Sequence, residues 1–192
     1  MAAFVPRANA LRNHALQFAV IAHGNQVRKG NEHIPYVFHC VDVANEVIFY
    51  SGLPVAELEL ASTIALLHDT VEDTFVVEDD VRQQFGDAIA DGVSALSKSD
   101  NIENNDRHSK MPELEENLVR LKAAPKYVQA VKLADRVSNL KSFPAMWSRK
   151  KISNYLNESA LIAKELGSAS EGLHARLLTR IREARNMLSI MN

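Results

Sequence analysis

The segment VAELELASTIALLHDTVED, residues 55–73, decides how the chain folds. Leu58, Ala61, Ile64, Ala65 and His68 recur at helical spacing, with Leu66 and Leu67 beside them, so the pattern predicts a helix over about 55–70. It is apolar nearly all round before His68, which marks a central, enclosed helix rather than a surface one. The run then ends on His68, Asp69, Thr70, Val71, Glu72 and Asp73. Burying an imidazole beside a carboxylate costs roughly 2–7 kcal/mol per unsatisfied group unless something pairs them. A divalent cation does that. On a continuing helix, His68 lies near Glu72, and Asp69 lies near Glu72 and Asp73. A helix terminus with solvated acids and a hydrogen-bonded histidine accounts for this segment, taken alone, equally well.

Outward from this helix, periodicity is helical throughout. Leu11, Ala15, Phe18, Ala19 and Ala22 predict a helix over about 8–26. Gly24 to Pro35 reads as a polar loop carrying Arg28 and Lys29. Val37, Val41, Ala44 and Ile48 share a face of the next helix, which stops near Ser51-Gly52. Short helices follow at about 78–85 and 87–97. Ser97 to Met111 is polar and reads as a mobile loop. Leu114, Leu118 and Leu121 mark another helix, Tyr127 to Leu140 a strong one, and two more fall near 150–165 and 171–190. No alternating strand pattern, repeat or low-complexity tract is visible. The expectation is an all-α fold of about eight to ten helices, with residues 1–192 forming one domain.

Composition narrows the function classes. Hydrophobic residues make up 46% and charged residues 24% of 192 residues, with net charge −2, so no general attraction to nucleic acid or membrane is expected. The single cysteine, Cys40, excludes an internal disulfide and suits a reducing compartment. It reads as a small buried hydrophobe. No apolar run approaches the ~20 residues of a membrane span, and the N-terminal residues do not read as a signal peptide. The protein is read as cytoplasmic. Self-association is left open.

Two further segments carry chemistry. Lys132-Leu133-Ala134-Asp135-Arg136-Val137-Ser138-Asn139-Leu140 places Lys132, Asp135 and Asn139 one turn apart on a helix. Alone, an exposed face of ordinary ion pairs is the simpler account. Pro35-Tyr36-Val37-Phe38-His39 opens a helix with a histidine that is a ligand or a satisfied core residue. Taken together, His39, His68, Asp69 and Asp135 make a mixed nitrogen and oxygen set that suits Mn²⁺, Fe²⁺ or Zn²⁺ better than Ca²⁺. Glu72 and Asp73 could then orient or deprotonate a water. Arg28, Lys29, Lys132 and Arg136 offer positive charge to phosphate oxygens.

These segments resemble the HD superfamily of metal-dependent phosphohydrolases. Arg28-Lys29-Gly30 with Pro35-Tyr36-x-x-His39, Leu66 to Thr74, and Lys132 to Arg136 with Asn139-Leu140 resemble the motifs of RelA/SpoT-type hydrolase domains. The resemblance spans about residues 8–165 and looks like that of a stand-alone small alarmone hydrolase. It implies an all-helical HD fold, one Mn²⁺ (with Fe²⁺, Zn²⁺, Co²⁺ and Mg²⁺ left open) and removal of the 3′-pyrophosphate of ppGpp or pppGpp. It implies metal ligation by His39, His68, Asp69 and Asp135 and catalysis by Glu72 and Asp73. Substrate contacts carry over onto Arg28, which would stack on the base, Lys29, Lys132 and Asn139. Tyr155 matches an aromatic near the base. Two departures stand out. Cys40 replaces the usual proline, and 97–125 matches poorly, which leaves guanine versus adenine preference open. Another HD nucleotide phosphohydrolase, such as a nucleotidase or a ppApp-type hydrolase, is the alternative within the family. A non-catalytic nucleotide-binding HD protein is the alternative outside enzymology.

Overall fold

A computed structural model describes residues 7–97 and 111–190. Among these residues the elements are α1 (Arg7–His23), β1 (Val27–Arg28), β2 (Asn31–Pro35), α2 (Val37–Tyr50), α3 (Val55–Leu67), α4 (Thr70–Asp73), α5 (Glu78–Phe85), α6 (Asp87–Leu96), α7 (Met111–Ala123), α8 (Lys126–Asn139), α9 (Arg149–Leu166) and α10 (Glu171–Ile190). A 3-10 turn, Gly167–Ala169, joins the last two. The fold is all-α, as the periodicity predicts. Most of the segment expected to be a mobile loop, residues 98–110, lies outside the described residues.

The helix at 55–67 is central. Every residue from Ala61 to Leu67 is buried, and α1, α2, α6 and α8 all pack on it. Gly92 lets α6 approach closely, because a Cβ there would stand 2.5 Å from Ile64 Cδ1. Ile64, Leu67 and Leu133 are fully enclosed, each worth about 1.5–3 kcal/mol of burial. The helices α2, α3 and α8 pack on one another. This triangle brings together the first turn of α2, the end of α3 and the last half of α8.

Two local expectations are corrected. Gly24 to Pro35 is not all loop. Val27 pairs with Pro35 and Arg28 with Asn31 in an irregular antiparallel ribbon. Among its described side chains Val27, His33, Ile34 and Pro35 are exposed and Arg28 is half-buried, so these residues show no apolar buried face to be read. Gly30 turns the ribbon at φ 83° and lies against Pro144. The third helix also stops at Leu67 rather than Thr70. Thr70 Oγ1 donates to the Leu67 carbonyl at 2.7 Å and His68 Nδ1 to the Ala65 carbonyl at 2.8 Å. These side chains satisfy carbonyls that a continuing helix would bond, and the chain restarts as the short α4.

Candidate functional site

At the point where α2, α3 and α8 meet, two imidazoles face two carboxylates. His39 Nε2 lies 3.3 Å from Asp135 Oδ1 and 3.7 Å from Asp69 Oδ2. His68 Nε2 lies 2.9 Å from Asp69 Oδ2 and 3.8 Å from Asp135 Oδ1. Ligand atoms of His39, His68 and Asp135 all fall within 4.8 Å of one another, and all three residues are buried. Asp69 joins them through its contacts with both imidazoles. His68 Nε2 is buried and has no hydrogen-bond partner. Its approach to Asp69 lacks hydrogen-bond geometry.

The electrostatics favour a cation. Burial raises the pKa of Asp69, but the His68 imidazole outweighs it and holds the carboxyl well below the usual range. Burial likewise opposes ionisation of Asp135, and Lys132 with both histidines overcomes it. Burial lowers the pKa of His39. For His68 burial acts in the same direction, yet the neighbouring Asp69 charge draws its pKa well above the ordinary value. Two ionised acids therefore sit beside two histidines, and the positive charge that balances them here, on His68 and Lys132, is charge that a bound cation would supply at the same place. Such a donor set fits a divalent transition-type cation, and the partnerless His68 nitrogen fits it as well.

Each donor is held from behind. His68 is fixed by its Nδ1 bond to Ala65, which turns Nε2 toward the acids. Tyr36 OH donates to Asp69 Oδ2 at 2.5 Å. Burial and the Asp69 charge raise the Tyr36 pKa, so the phenol keeps its proton. Asn139 Nδ2 donates to Asp135 Oδ1 at 2.5 Å, and Lys132 Nζ reaches Asp135 Oδ2 at 3.3 Å. Arg28 Nη2 donates to Asn139 Oδ1 at 2.7 Å.

The HD domain family profile matches residues 15–167. The chain belongs to the HD domain family. Among curated HD relatives, human guanosine-3′,5′-bis(diphosphate) 3′-pyrophosphohydrolase MESH1 is 30% identical over 85% of this chain and 88% of that protein. The enzyme of the same activity from Aquifex aeolicus is 35% identical over 80% of this chain but only 21% of its own length. A solved structure described as a metazoan ortholog of SpoT that hydrolyses ppGpp superposes with TM-score 0.79 at 23% identity, covering 94% of this chain and 98% of that one. At that identity the likeness concerns the fold.

The other expected residues of this HD chain fall around the centre unevenly. Arg28, Lys132 and Asn139 contact one another or Asp135. Arg28 also lies 5.9 Å from the Tyr36 ring centre. Lys29 is exposed on the ribbon turn. Glu72 and Asp73 are exposed on α4, just beyond the His68-Asp69 break. They sit on a separate short helix rather than on a continuation of α3. Gln26 steadies that helix, accepting from His23 Nδ1 at 2.9 Å and donating to the Asp73 carbonyl at 2.6 Å. Tyr155 packs against Trp147 at 5.3 Å and under the Arg136 guanidinium at 4.3 Å. Burial pushes its hydroxyl up to about 12. Sequence reasoning quoted Tyr36 and Ser138 without a role and passed over Gln26 and Asp42. Asp42 follows His39 by three residues and Ser138 follows Asp135 by three, so helical spacing was the available signal.

Proposed function

We propose that this chain is a divalent-metal-dependent pyrophosphohydrolase that removes the 3′-pyrophosphate of ppGpp and pppGpp, with ppApp-type purine alarmones in the same substrate class. The observation that carries this reading is His68 Nε2, buried without a hydrogen bond among His39, Asp69 and Asp135. Similarity to alarmone pyrophosphohydrolases along nearly all of the chain supports the substrate. Residues 1–192 act as one hydrolase domain in the cytoplasm. No helix of the described residues is long and apolar enough to cross a membrane.

His39, His68, Asp69 and Asp135 would hold the cation, Mn²⁺ in this proposal, with Fe²⁺, Zn²⁺, Co²⁺ and Mg²⁺ served by the same donors. When bound, it supplies Lewis acidity to phosphate oxygens and lowers the pKa of water from 15.7 toward ~7. Glu72, with Asp73, orients the attacking water and takes its proton. The water oxygen forms a new bond to the phosphorus attached to the ribose 3′ oxygen. The bond from that phosphorus to the 3′ oxygen breaks, a proton passes to the 3′ oxygen, and pyrophosphate and a nucleoside 5′-di- or triphosphate are released. Lys29 and Lys132 answer charge on the phosphates. Arg28 offers a flat guanidinium to the purine, and Asn139 and Tyr155 border the nucleoside.

Purified protein with Mn²⁺ is assayed against ppGpp, pppGpp, ppApp, GTP and dGTP, with products identified. Pyrophosphate release from the 3′-diphosphates, and none from GTP or dGTP, is expected. Turnover of GTP or dGTP alone would assign a different HD hydrolase. Nucleotide binding without turnover would assign a non-catalytic sensor.

A further inference from the structure

Behind His39 a row of paired side chains crosses three helices. His39 Nδ1 lies 3.1 Å from Ser138 Oγ. The Ser138 hydroxyl donates to Asp42 Oδ2 at 2.6 Å. Lys141 Nζ meets Asp42 Oδ1 at 2.6 Å and Glu46 Oε1 at 2.8 Å. Glu46 is buried, and Arg176 of α10 clamps it with Nε at 2.7 Å and Nη2 at 2.9 Å. The Arg176 guanidinium lies 3.6 Å over the Tyr50 ring. Two acids and two bases alternate, so the row is neutral as a whole.

The proton count along this row is decisive. Ionised Asp42 only accepts, and a serine hydroxyl has one proton to give. With that proton committed to Asp42, the Ser138 oxygen presents a lone pair to His39. His39 Nδ1 must then carry a hydrogen, and Nε2 is left to face Asp69 and Asp135.

We propose that Ser138 and Asp42 are positioning residues that hold His39 as its Nδ1–H form, with the Nε2 lone pair turned to the cation. This rests on the metal-dependent reading above. Lys141, Glu46 and Arg176 keep Asp42 in place, which extends the metal centre's support as far as α10. Outer partners of metal-bound histidines typically carry 10- to 100-fold in metal affinity. Two residues acting through one hydrogen-bonded row lose that contribution once, not twice.

Equilibrium dialysis of the full chain with Mn²⁺ alone tests this, with no turnover involved. Ser138→Ala and Asp42→Ala are each expected to weaken Mn²⁺ binding ~10- to 100-fold. The double variant is expected to bind no more weakly than the worse single one. Wild-type-like binding in both single variants, a loss at one position only, or losses that multiply in the double variant would overturn the relay and leave the metal reading standing. A wild-type protein that takes up no Mn²⁺ would overturn both.

Discussion

Arg28 donates to the Asn139 side-chain oxygen at 2.7 Å, and the same amide donates to Asp135 at 2.5 Å. One asparagine therefore links the ribbon to an acid of the proposed metal centre. The expected division of labour between Arg28 and Lys29 follows. Arg28→Ala should raise KM for all purine alarmones without choosing between bases. Lys29→Ala should lower turnover of pyrophosphorylated substrates with base preference unchanged. Steady-state kinetics on ppGpp and ppApp checks both. Effects within ±0.5 kcal/mol for both variants would mark them as ordinary surface charges.

Removal of the cation should abolish hydrolysis, and Mn²⁺ should restore it. Asp69→Ala removes a donor and a negative charge together, so metal content and activity should fall in parallel. Metal analysis of the purified variant beside its ppGpp turnover is the measurement. Full activity in metal-free wild-type protein would sink the assignment.

Glu72→Gln keeps the size of the side chain but cannot take a proton. The kcat should drop at least ~100-fold, the usual contribution of a general base, while Mn²⁺ stays bound. A variant that loses metal but keeps its intrinsic rate when saturated would place Glu72 among the donors instead.

The position of Glu72 shows where sequence reading stopped. The enclosed helix and the order of the helices were legible, because apolar periodicity encodes them. That His39, His68, Asp69 and Asp135 belong together was implied by the resemblance to HD motifs, since spacing within a helix cannot join three separate ones. The break after Leu67 was not. It depends on hydroxyl and imidazole bonds from Thr70 and His68 to carbonyls one turn back, which periodicity does not register. The ribbon at Val27–Pro35 was hidden for the opposite reason, since a solvent-facing pair of short strands has no apolar pattern. Ser138 and Asp42 look like ordinary helix residues until α2 and α8 are packed together.

Glu46 should make the fold sensitive to acid. Burial would raise its pKa, but Arg176 and Lys141 hold it below the ordinary value of 4.5. Because the folded pKa is the lower one, its stabilisation is complete above about pH 4.5 and is lost as pH falls through the folded pKa. Glu46→Gln should cost about 1–3 kcal/mol at pH 7 and flatten the pH dependence below that point. Urea unfolding of metal-free protein between pH 3 and 7 measures it. An unchanged acid limb in the variant would contradict the assignment.

Gly30 should resist substitution. Its φ of 83° disfavours any side chain, and a Cβ would stand 2.8 Å from both Cα and Cβ of Pro144. Gly30→Ala should cost about 1–3 kcal/mol and displace the ribbon that carries Arg28, raising KM more than it lowers kcat. Thermal melts and steady-state kinetics read the two effects separately. Unchanged values for both would mean that the ribbon tip is free to leave Pro144.

Cys40 follows a proposed metal donor in sequence, is fully enclosed, and lies with its sulfur 3.7 Å from His23 Nε2. Burial pushes its thiol up to about 12, so little reactive thiolate exists near neutral pH. It is also the chain's one cysteine. A thiol reagent can therefore label the protein only when the packing around α2 opens, and the labelling rate measures how often that opening occurs. Followed with and without added cation, that rate would show whether filling the centre slows the breathing of the helices around it.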